Sequence, residues 1–387
     1  MEGPQTGHRC RIHSQKQCTG AGRRAMTENG KNPSPETAIT LAELARHLNL
    51  TKGTVSAVLN DSPYARSIPQ HTKDRINAAA QELNYRPNFF ARTLRKKRTY
   101  TVGVIAEEIG DPYCSMLISG IESALTQRNF FLLTVIHRHD TALMQQYSDI
   151  LGARGVEGFI VVNTILRHAT TLPVVAVAGH CEIEGITDLV LDHRKAAELA
   201  LGHLVGLGHR NIAAIKGQSF SADAAERWRE LHAVADELGV HIPPERCVEL
   251  TERDQTTPEP GYRACKELLK RKQKFTALFA FNDLSAIGSI RAIREAGLRV
   301  PEDISVVGFD DIRESAYHVP SLTTVQQPLR KMGEIAAQTI IDRIEGTSEG
   351  KGRIFVEPGF VIRESTGPAP TAPVRASKKL PAVRKKK

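Results

Sequence analysis

Between residues 40 and 83 the apolar positions recur every three to four residues in three short runs, Leu41/Leu44/Ala45/Leu48, Val55/Val58/Leu59 and Ile76/Ala79/Ala80/Leu83. That is the spacing of three small amphipathic helices sharing one core. Only Asn49, Leu50 and Thr51 separate the first two. Asn tolerates the left-handed backbone of a tight turn, and the Thr51 hydroxyl can cap the helix that follows, which gives helix-turn-helix spacing. The second helix then carries Thr51, Lys52, Gly53, Thr54 and Ser56 at its N-terminal end, where side chains can enter a major groove and hydroxyls and amides can hold phosphates. Beyond residue 100 the pattern changes to short apolar runs at 101–106, 131–136, 159–162, 174–178, 189–191, 212–215, 277–281 and 304–309, alternating with helical stretches at 116–128, 195–207, 224–238 and 284–296. This is the βαβ pattern of a parallel sheet covered by helices. A body of about 265 residues exceeds one ordinary doubly wound sheet, so two α/β lobes with a cleft between them are expected.

In open α/β sheets, ligands bind beyond the carboxyl ends of the strands. Asp111, Asp192, Asn282 with Asp283, and Asp310 with Asp311 each follow an apolar run. Any one of them can instead cap a helix or make a turn. Their repetition around one rim points to a binding site.

Charge divides the chain along the same lines. Residues 37–98 carry eleven Lys/Arg against four Asp/Glu, whereas residues 99–365 carry 28 against 36. A basic segment on an acidic body is what a nucleic-acid-binding module joined to a separate regulatory or catalytic domain looks like. The first thirty residues are polar and basic with no apolar core, and no stretch approaches the ~18–20 consecutive apolar residues of a membrane span, so a cytoplasmic protein without membrane association is expected. Six dispersed cysteines form no compact framework, as in reduced cytosolic proteins.

Residues 85–88 (YRPN) impose an extended step at Arg86 and open a short segment ahead of Lys96, Lys97 and Arg98. Here the sequence resembles the LacI/GalR family of bacterial regulators. Residues 40–60 (TLAELARHLNLTKGTVSAVLN) are similar to that family's recognition signature, and residues 85–94 (YRPNFFARTL) to its hinge helix. The resemblance implies that Leu94 is the apolar wedge that paired hinge helices push into the minor groove, with Asn88 and Ala91 at their contacts; such a wedge unstacks a base step and bends DNA onto more protein surface. A helix of roughly eight residues is too short to be stable alone, so the hinge is expected to fold only with DNA and a partner hinge. Two positions depart from the family: Ala57 stands where an arginine usually reads a base, and Gly53 offers no side chain. A lost bidentate Arg contact removes about 1–3 kcal/mol of discrimination, so readout leans on Lys52, Thr54 and DNA shape, and the operator is expected to depart from the family consensus.

The likeness continues through residues 205–212 (VGLGHRNI), 279–288 (FAFNDLSAIG), 299–311 (RVPEDISVVGFDD) and 320–328 (PSLTTVQQP). It implies a periplasmic-binding-protein-like core holding a small effector between its lobes. Tyr113 would line the entrance-side wall, Arg227 would hold the ligand, and Asn282 and Asp310 would bond its polar groups, with Asp192 on the same rim. Arg227 can fork to vicinal hydroxyls or a carboxylate, and Asp310 and Asn282 suit hydroxyls or amides. A sugar or sugar derivative is the leading effector class, followed by a purine or an acidic metabolite. Glu230 replaces the family's usual glycine, and residues 256–260 lack the aromatic that several sugar-binding relatives present.

Other signals are set aside. Gly206 and Gly208 precede a strand and follow a helix, the wrong order for a dinucleotide fingerprint. His8, Cys10, His13 and Cys18 lack the paired spacing that closes a zinc site, and His137, His139 and His180 with Cys181 read as cleft-rim or surface residues. No nucleophile, base and orienter assemble from the sequence, so neither catalysis nor a cofactor or metal is expected.

The domain reading is a disordered extension over 1–36 (with Met26 a candidate natural start), a helix-turn-helix domain over 37–85, a hinge over 86–98, an effector-binding and dimerisation core over 99–366, and a basic disordered tail over 367–387 without the leucine heptads of a tetramerising coiled coil. The chain reads as a cytoplasmic repressor that binds double-stranded operator DNA as a homodimer. A solute-binding protein would need a leader and no helix-turn-helix, and an enzyme on the α/β core would need a catalytic constellation.

Overall fold

A computed structural model describes residues 39–85, 98–164, 171–180, 183–252, 256–271, 273–348 and 352–371. The chain divides into two compact units, 1–95 and 96–387. The expected hinge segment, with Asn88, Ala91 and Leu94, lies outside the described residues, as do 1–38 and 372–387.

The first unit is the predicted three-helix cluster: α1 (Leu41–His47), α2 (Lys52–Leu59) and α3 (Gln70–Glu82). Thr40 and Glu43 form a reciprocal capping box on α1, which satisfies two otherwise orphan donors. Asn49 turns the chain at φ 56°. Leu44, Leu48, Val55, Ile76, Ala79 and Ala80 are buried together as the core.

The second unit holds two six-stranded sheets. The first has β1 (Thr101–Ala106), β2 (Phe131–Ile136), β3 (Gly158–Val162), β4 (Val174–Val177), β5 (Ile186–Leu191) and β11 (Gly352–Val356) in the order β11-β5-β4-β3-β1-β2, parallel throughout. The second has β6 (Ile212–Lys216), β7 (Cys247–Glu249), β8 (Ala277–Phe279), β9 (Ser305–Asp310), β10 (Thr323–Gln326) and β12 (Gly359–Val361) in the order β12-β10-β9-β8-β6-β7, with only the β10–β12 pair antiparallel. The chain therefore passes between the lobes three times, at Asp192, at Gln327–Pro328 and at Glu357–Pro358.

Four of the predicted helices appear with small shifts as α4 (Pro112–Gln127), α6 (His193–Gly206), α7 (Ala222–Glu237) and α9 (Asp283–Glu295). The structure adds α5 (Thr141–Ala153), α8 (Glu259–Lys270), α10 (Arg313–Tyr317) and α11 (Leu329–Ile344). In the first lobe α4 and α11 pack backbone to backbone through glycine: a Cβ on Gly120 would lie 2.1 Å from the Arg330 carbonyl oxygen, and one on Gly333 2.2 Å from that of Leu117. No helix among the described residues is long and apolar enough to cross a membrane.

The carboxyl-terminal boundary differs from expectation. Gly367 donates to the Ser305 hydroxyl and its carbonyl bonds to His209, and the Ala369 amide donates to the Leu207 carbonyl. These backbone bonds hold the strand's continuation to the second lobe past residue 366, where the tail is expected to begin.

Candidate functional site

In the first unit, Thr51 caps α2: its Oγ1 accepts from the Thr54 amide at 3.1 Å and bonds the Thr54 hydroxyl at 2.9 Å. Thr51, Lys52 and Gly53 are exposed and Thr54 is half-buried. Gly53 is not required by packing, since a Cβ there would meet only Thr51 Oγ1 at 3.7 Å. Ser56, the remaining residue expected to face DNA, sits one turn further along α2. It is buried, and its Oγ and carbonyl oxygen both accept from Asn60 Nδ2, so its polar groups tie down the end of α2. Ala57 is buried too, against Ala65 and Ile68, so this position is part of the packing of the module.

In the second unit, three of the five expected effector residues come together. Arg227 is buried in the second turn of α7, stacked with its guanidinium 3.5 Å from the Phe309 ring centroid and 4.6 Å from that of Phe281. It donates to Asp223 Oδ2 at 2.5 Å and to the Phe281 carbonyl at 2.5 Å. Asp310 ends β9 with φ 118° and accepts from Gln327 Nε2 at 2.6 Å. Burial pushes its carboxyl well above the usual range, Arg227 pulls against that, and Asp283 and Asp111 reinforce it. Tyr113, from the other lobe, faces the same groups: burial and the Asp223 and Asp310 carboxylates push its phenol well up.

The other two residues serve as helix caps. Asp192 Oδ1 accepts from the Lys195 amide at 2.8 Å at the start of α6. Asn282 Oδ1 accepts from the Ser285 amide at 2.9 Å in a capping box on α9. The physical reason is shared: the chain leaves a strand directly into a helix whose first amides need an acceptor.

Asp223 is the residue the sequence reading missed. It is buried and receives His180 Nε2 at 3.1 Å and His193 Nε2 at 2.8 Å, both on Oδ1, while Arg227 takes Oδ2. Burial opposes its ionisation, but the charges of His193 and Arg227, with the imidazole hydrogen bonds, hold the carboxyl well below the usual range. The i, i+4 spacing of Asp223 and Arg227 on one helix is the signal that could have found it. Of the two readings given to the histidines, cleft-rim or surface, the described ones lie at the cleft. His137 is buried with Nε2 2.8 Å from the Thr164 hydroxyl, and His139 bonds Glu107 at 2.7 Å and lies against Phe220, ring centroids 4.0 Å apart.

The lobes are closed on each other. Phe220, Ser221 and Asp223 of the second lobe meet His139, Asn163 and His180 of the first, with Ser221 Oγ 3.3 Å from Asn163 Oδ1. The cavity bounded by Glu107, Asp111, Tyr113 and Asn163 measures about 10 Å³, room for about one water. Tyr113 Oη, His193 Nδ1, Gln218 Oε1 and Arg227 Nε are buried polar atoms that bond no described group. Unspent donors and acceptors of this kind are what a polar ligand satisfies.

Residues 40–88 match the model of bacterial regulatory proteins of the lacI family, and residues 201–366 that of a periplasmic binding protein-like domain. The HTH-type transcriptional repressor PurR of Erwinia tasmaniensis is 32% identical over 340 residues, covering 86% of this chain and 98% of its own. PurR of Yersinia pestis bv. Antiqua is 30% identical over 340 residues, with the same coverage of 86% and 98%. Among solved structures, the lac repressor dimer bound to operator and the anti-inducer ONPF superposes with TM-score 0.77 at 26% identity, over 86% of this chain and all (100%) of that one. A complex of the transcriptional regulator CelR with cellobiose does so with TM-score 0.64 at 26% identity, over 84% and 99%. These relatives are regulators rather than enzymes, and this chain belongs to the lacI family of DNA-binding bacterial transcriptional regulators.

Proposed function

We propose that the chain is a cytoplasmic repressor that binds a pseudo-palindromic operator as a homodimer and is controlled by a neutral, hydroxyl-rich effector, a sugar or sugar derivative, taken between the lobes. Thr51, Lys52, Gly53 and Thr54 at the exposed start of α2 are the operator-facing groups of the described residues, and Asn88, Ala91 and Leu94 are the hinge contacts. Tyr113, Arg227 and Asp310 are the effector contacts. The observation that carries the effector class is the charge balance of the cleft. Arg227 is already matched by Asp223, and Asp310, Asp111 and Glu107 add further carboxyls. Among the described residues carboxyls outnumber guanidinium groups in the cleft, which disfavours an acidic metabolite, whereas mixed unspent donors and acceptors suit hydroxyls. The aromatic faces of Tyr113, Phe220, Phe281 and Phe309 support a second reading, a flat neutral nitrogen heterocycle such as a purine.

Control follows from the lobes. An effector that changes their angle changes the spacing of the two hinge segments of the dimer, and so the cost of pairing them in the minor groove. The test is selection of operator sites from random duplexes by the full chain, followed by thermal-shift screening of neutral sugars, heterocycles and organic acids. An enriched palindrome and stabilisation by a neutral polyol are the expected results. Stabilisation only by organic acids would overturn the charge argument, and failure to enrich any site across salt concentrations and effectors would overturn sequence-specific operator binding.

A further inference from the structure

His180, His193 and Asp223 are far apart in the sequence and belong to different lobes. His180 follows β4 in the first lobe, His193 opens α6 and Asp223 lies in the first turn of α7 in the second. The fold brings one ligating atom from each within 4.8 Å of the other two. The side chains of His180, His193 and Asp223 are only 11%, 1% and 8% exposed. Both imidazoles converge on one carboxylate oxygen, at 3.1 and 2.8 Å. In a tetrahedral site with metal–ligand bonds of about 2.0–2.1 Å, neighbouring ligand atoms are roughly 3.3 Å apart. The two imidazole–carboxylate distances are already within about half an ångström of that spacing, and the two imidazole nitrogens, within 4.8 Å of each other, close on it by a side-chain movement of about 1.5 Å at most.

The surroundings select the kind of ion. Arg227 occupies Asp223 Oδ2 and leaves Oδ1 to the imidazoles. One carboxylate offset by one guanidinium offers little to calcium or magnesium, which require several oxygen ligands. Two imidazole nitrogens and one carboxylate oxygen suit zinc and its neighbours in the first transition row. Tyr113, whose buried Oη bonds no described group, faces Asp223 from the first lobe and leaves a polar fourth side.

We propose that His180, His193 and Asp223 bind one divalent transition-metal ion, of the zinc class, that ties the first lobe to the second. The ion replaces the shared imidazole protons on Asp223 Oδ1 and holds the cleft in its closed arrangement. Occupancy is then a second input to the lobe equilibrium, opposing any organic effector whose entry parts His180 from Asp223. The proposal does not rest on the identity of that effector.

The test uses the full chain dialysed against a chelator and titrated with Co²⁺, read by visible absorption, and with Zn²⁺, read by calorimetry. The expected result is one ion per chain, a visible d–d band without thiolate charge transfer, and a Tm that rises with Zn²⁺. His193→Asn and His180→Gln should each weaken binding by at least about 100-fold and remove the Tm response. His180 lies outside helix and strand, so His180→Gln remains informative if His193→Asn does not fold. A Cys10→Ser/Cys18→Ser variant should bind as the parent does. No binding by the parent, binding that survives both histidine variants, or binding lost with the two cysteines would each overturn the proposal.

Discussion

Replacing Arg227 by Met tests the central pair of the cleft. Met keeps the length and apolar stem that pack on Phe309 and Phe281, so the change removes the charge without opening a large cavity. Both partners are nearly inaccessible, with side chains 6% and 8% exposed, and Asp223 Oδ2 loses the donor 2.5 Å away. Breaking a buried pair from one side costs about 3–5 kcal/mol. Because His180 and His193 still donate to Oδ1, the low end of that range applies, with about 1 kcal/mol more for the unpaired Phe281 carbonyl. A loss of about 4 kcal/mol follows. Asp223→Asn alone strands the guanidinium and should cost a similar amount. The double variant has neither stranded charge, so it should fall well short of the sum, with a coupling energy of about 3 kcal/mol. Urea unfolding of the full chain and its variants, followed by far-UV circular dichroism at constant m, measures all four corners. Additive losses would refute the reasoning, because they would mean the two charges do not depend on each other.

Other consequences are more local. His137 is pushed down to about 4 by burial and then by His139, and its Nδ1 accepts from the His139 amide at 3.1 Å. Its folded value lies below the usual 6.5, so its contribution is fully present above about pH 6.5 and is lost as pH falls toward 4, amounting to about 3 kcal/mol. His137→Gln should flatten the stability–pH curve over that window; an unchanged slope would assign acid lability to other groups. Gly333→Ala must push the Leu117 carbonyl away from 2.2 Å and should cost about 3 kcal/mol or more; a wild-type urea midpoint would contradict the close α4–α11 packing. Thr51→Ala removes the cap of α2 and should cost the first unit about 1 kcal/mol while weakening operator binding in mobility-shift assays. Leu94→Ala should weaken operator binding and leave effector affinity nearly unchanged, and equal operator affinity would remove the wedge role.

The parts of the fold legible in the sequence are those set by local pattern. The three helices of the first unit follow from apolar spacing, and the turn follows from Asn49, which takes φ 56°. The buried parallel strands read as continuous apolar runs because both faces are covered. Strand β10, Thr-Thr-Val-Gln over 323–326, was not legible: Thr323 and Thr324 are buried and bonded to Arg363 and Asp283, so its burial rests on polar pairing rather than hydrophobicity. Of the rim residues, Asp310 lies with Arg227 and Gln327, whereas Asp192 and Asn282 accept from the first amides of the helices that follow them, because an acceptor at a strand end serves the next helix first. Asp223 and His193 escaped, and His180 read only as a cleft-rim or surface residue, because no local spacing connects the three. They meet only after the chain has crossed between lobes, and one loop and two helix starts have been set by packing.

The same crossings bear on how an effector acts. Phe220, Ser221 and Asp223 of the second lobe touch His139, Asn163 and His180 of the first across the cleft. In the proposed mechanism, an effector that needs a wider cleft displaces groups that now bridge the lobes: His180 from Asp223, Ser221 from Asn163, or Phe220 from His139. Each such bond contributes about 0.5–1.5 kcal/mol net, so opening costs a few kcal/mol and lowers the apparent affinity of any ligand that requires the open arrangement. A ligand whose hydroxyls take over Tyr113 Oη, Arg227 Nε and His193 Nδ1 can recover that cost only if it bonds both lobes at once. In the proposed mechanism, affinity and control thus have the same source. A ligand that spends its binding energy on one lobe alone leaves the lobe angle, and hence the operator, unaffected however tightly it binds.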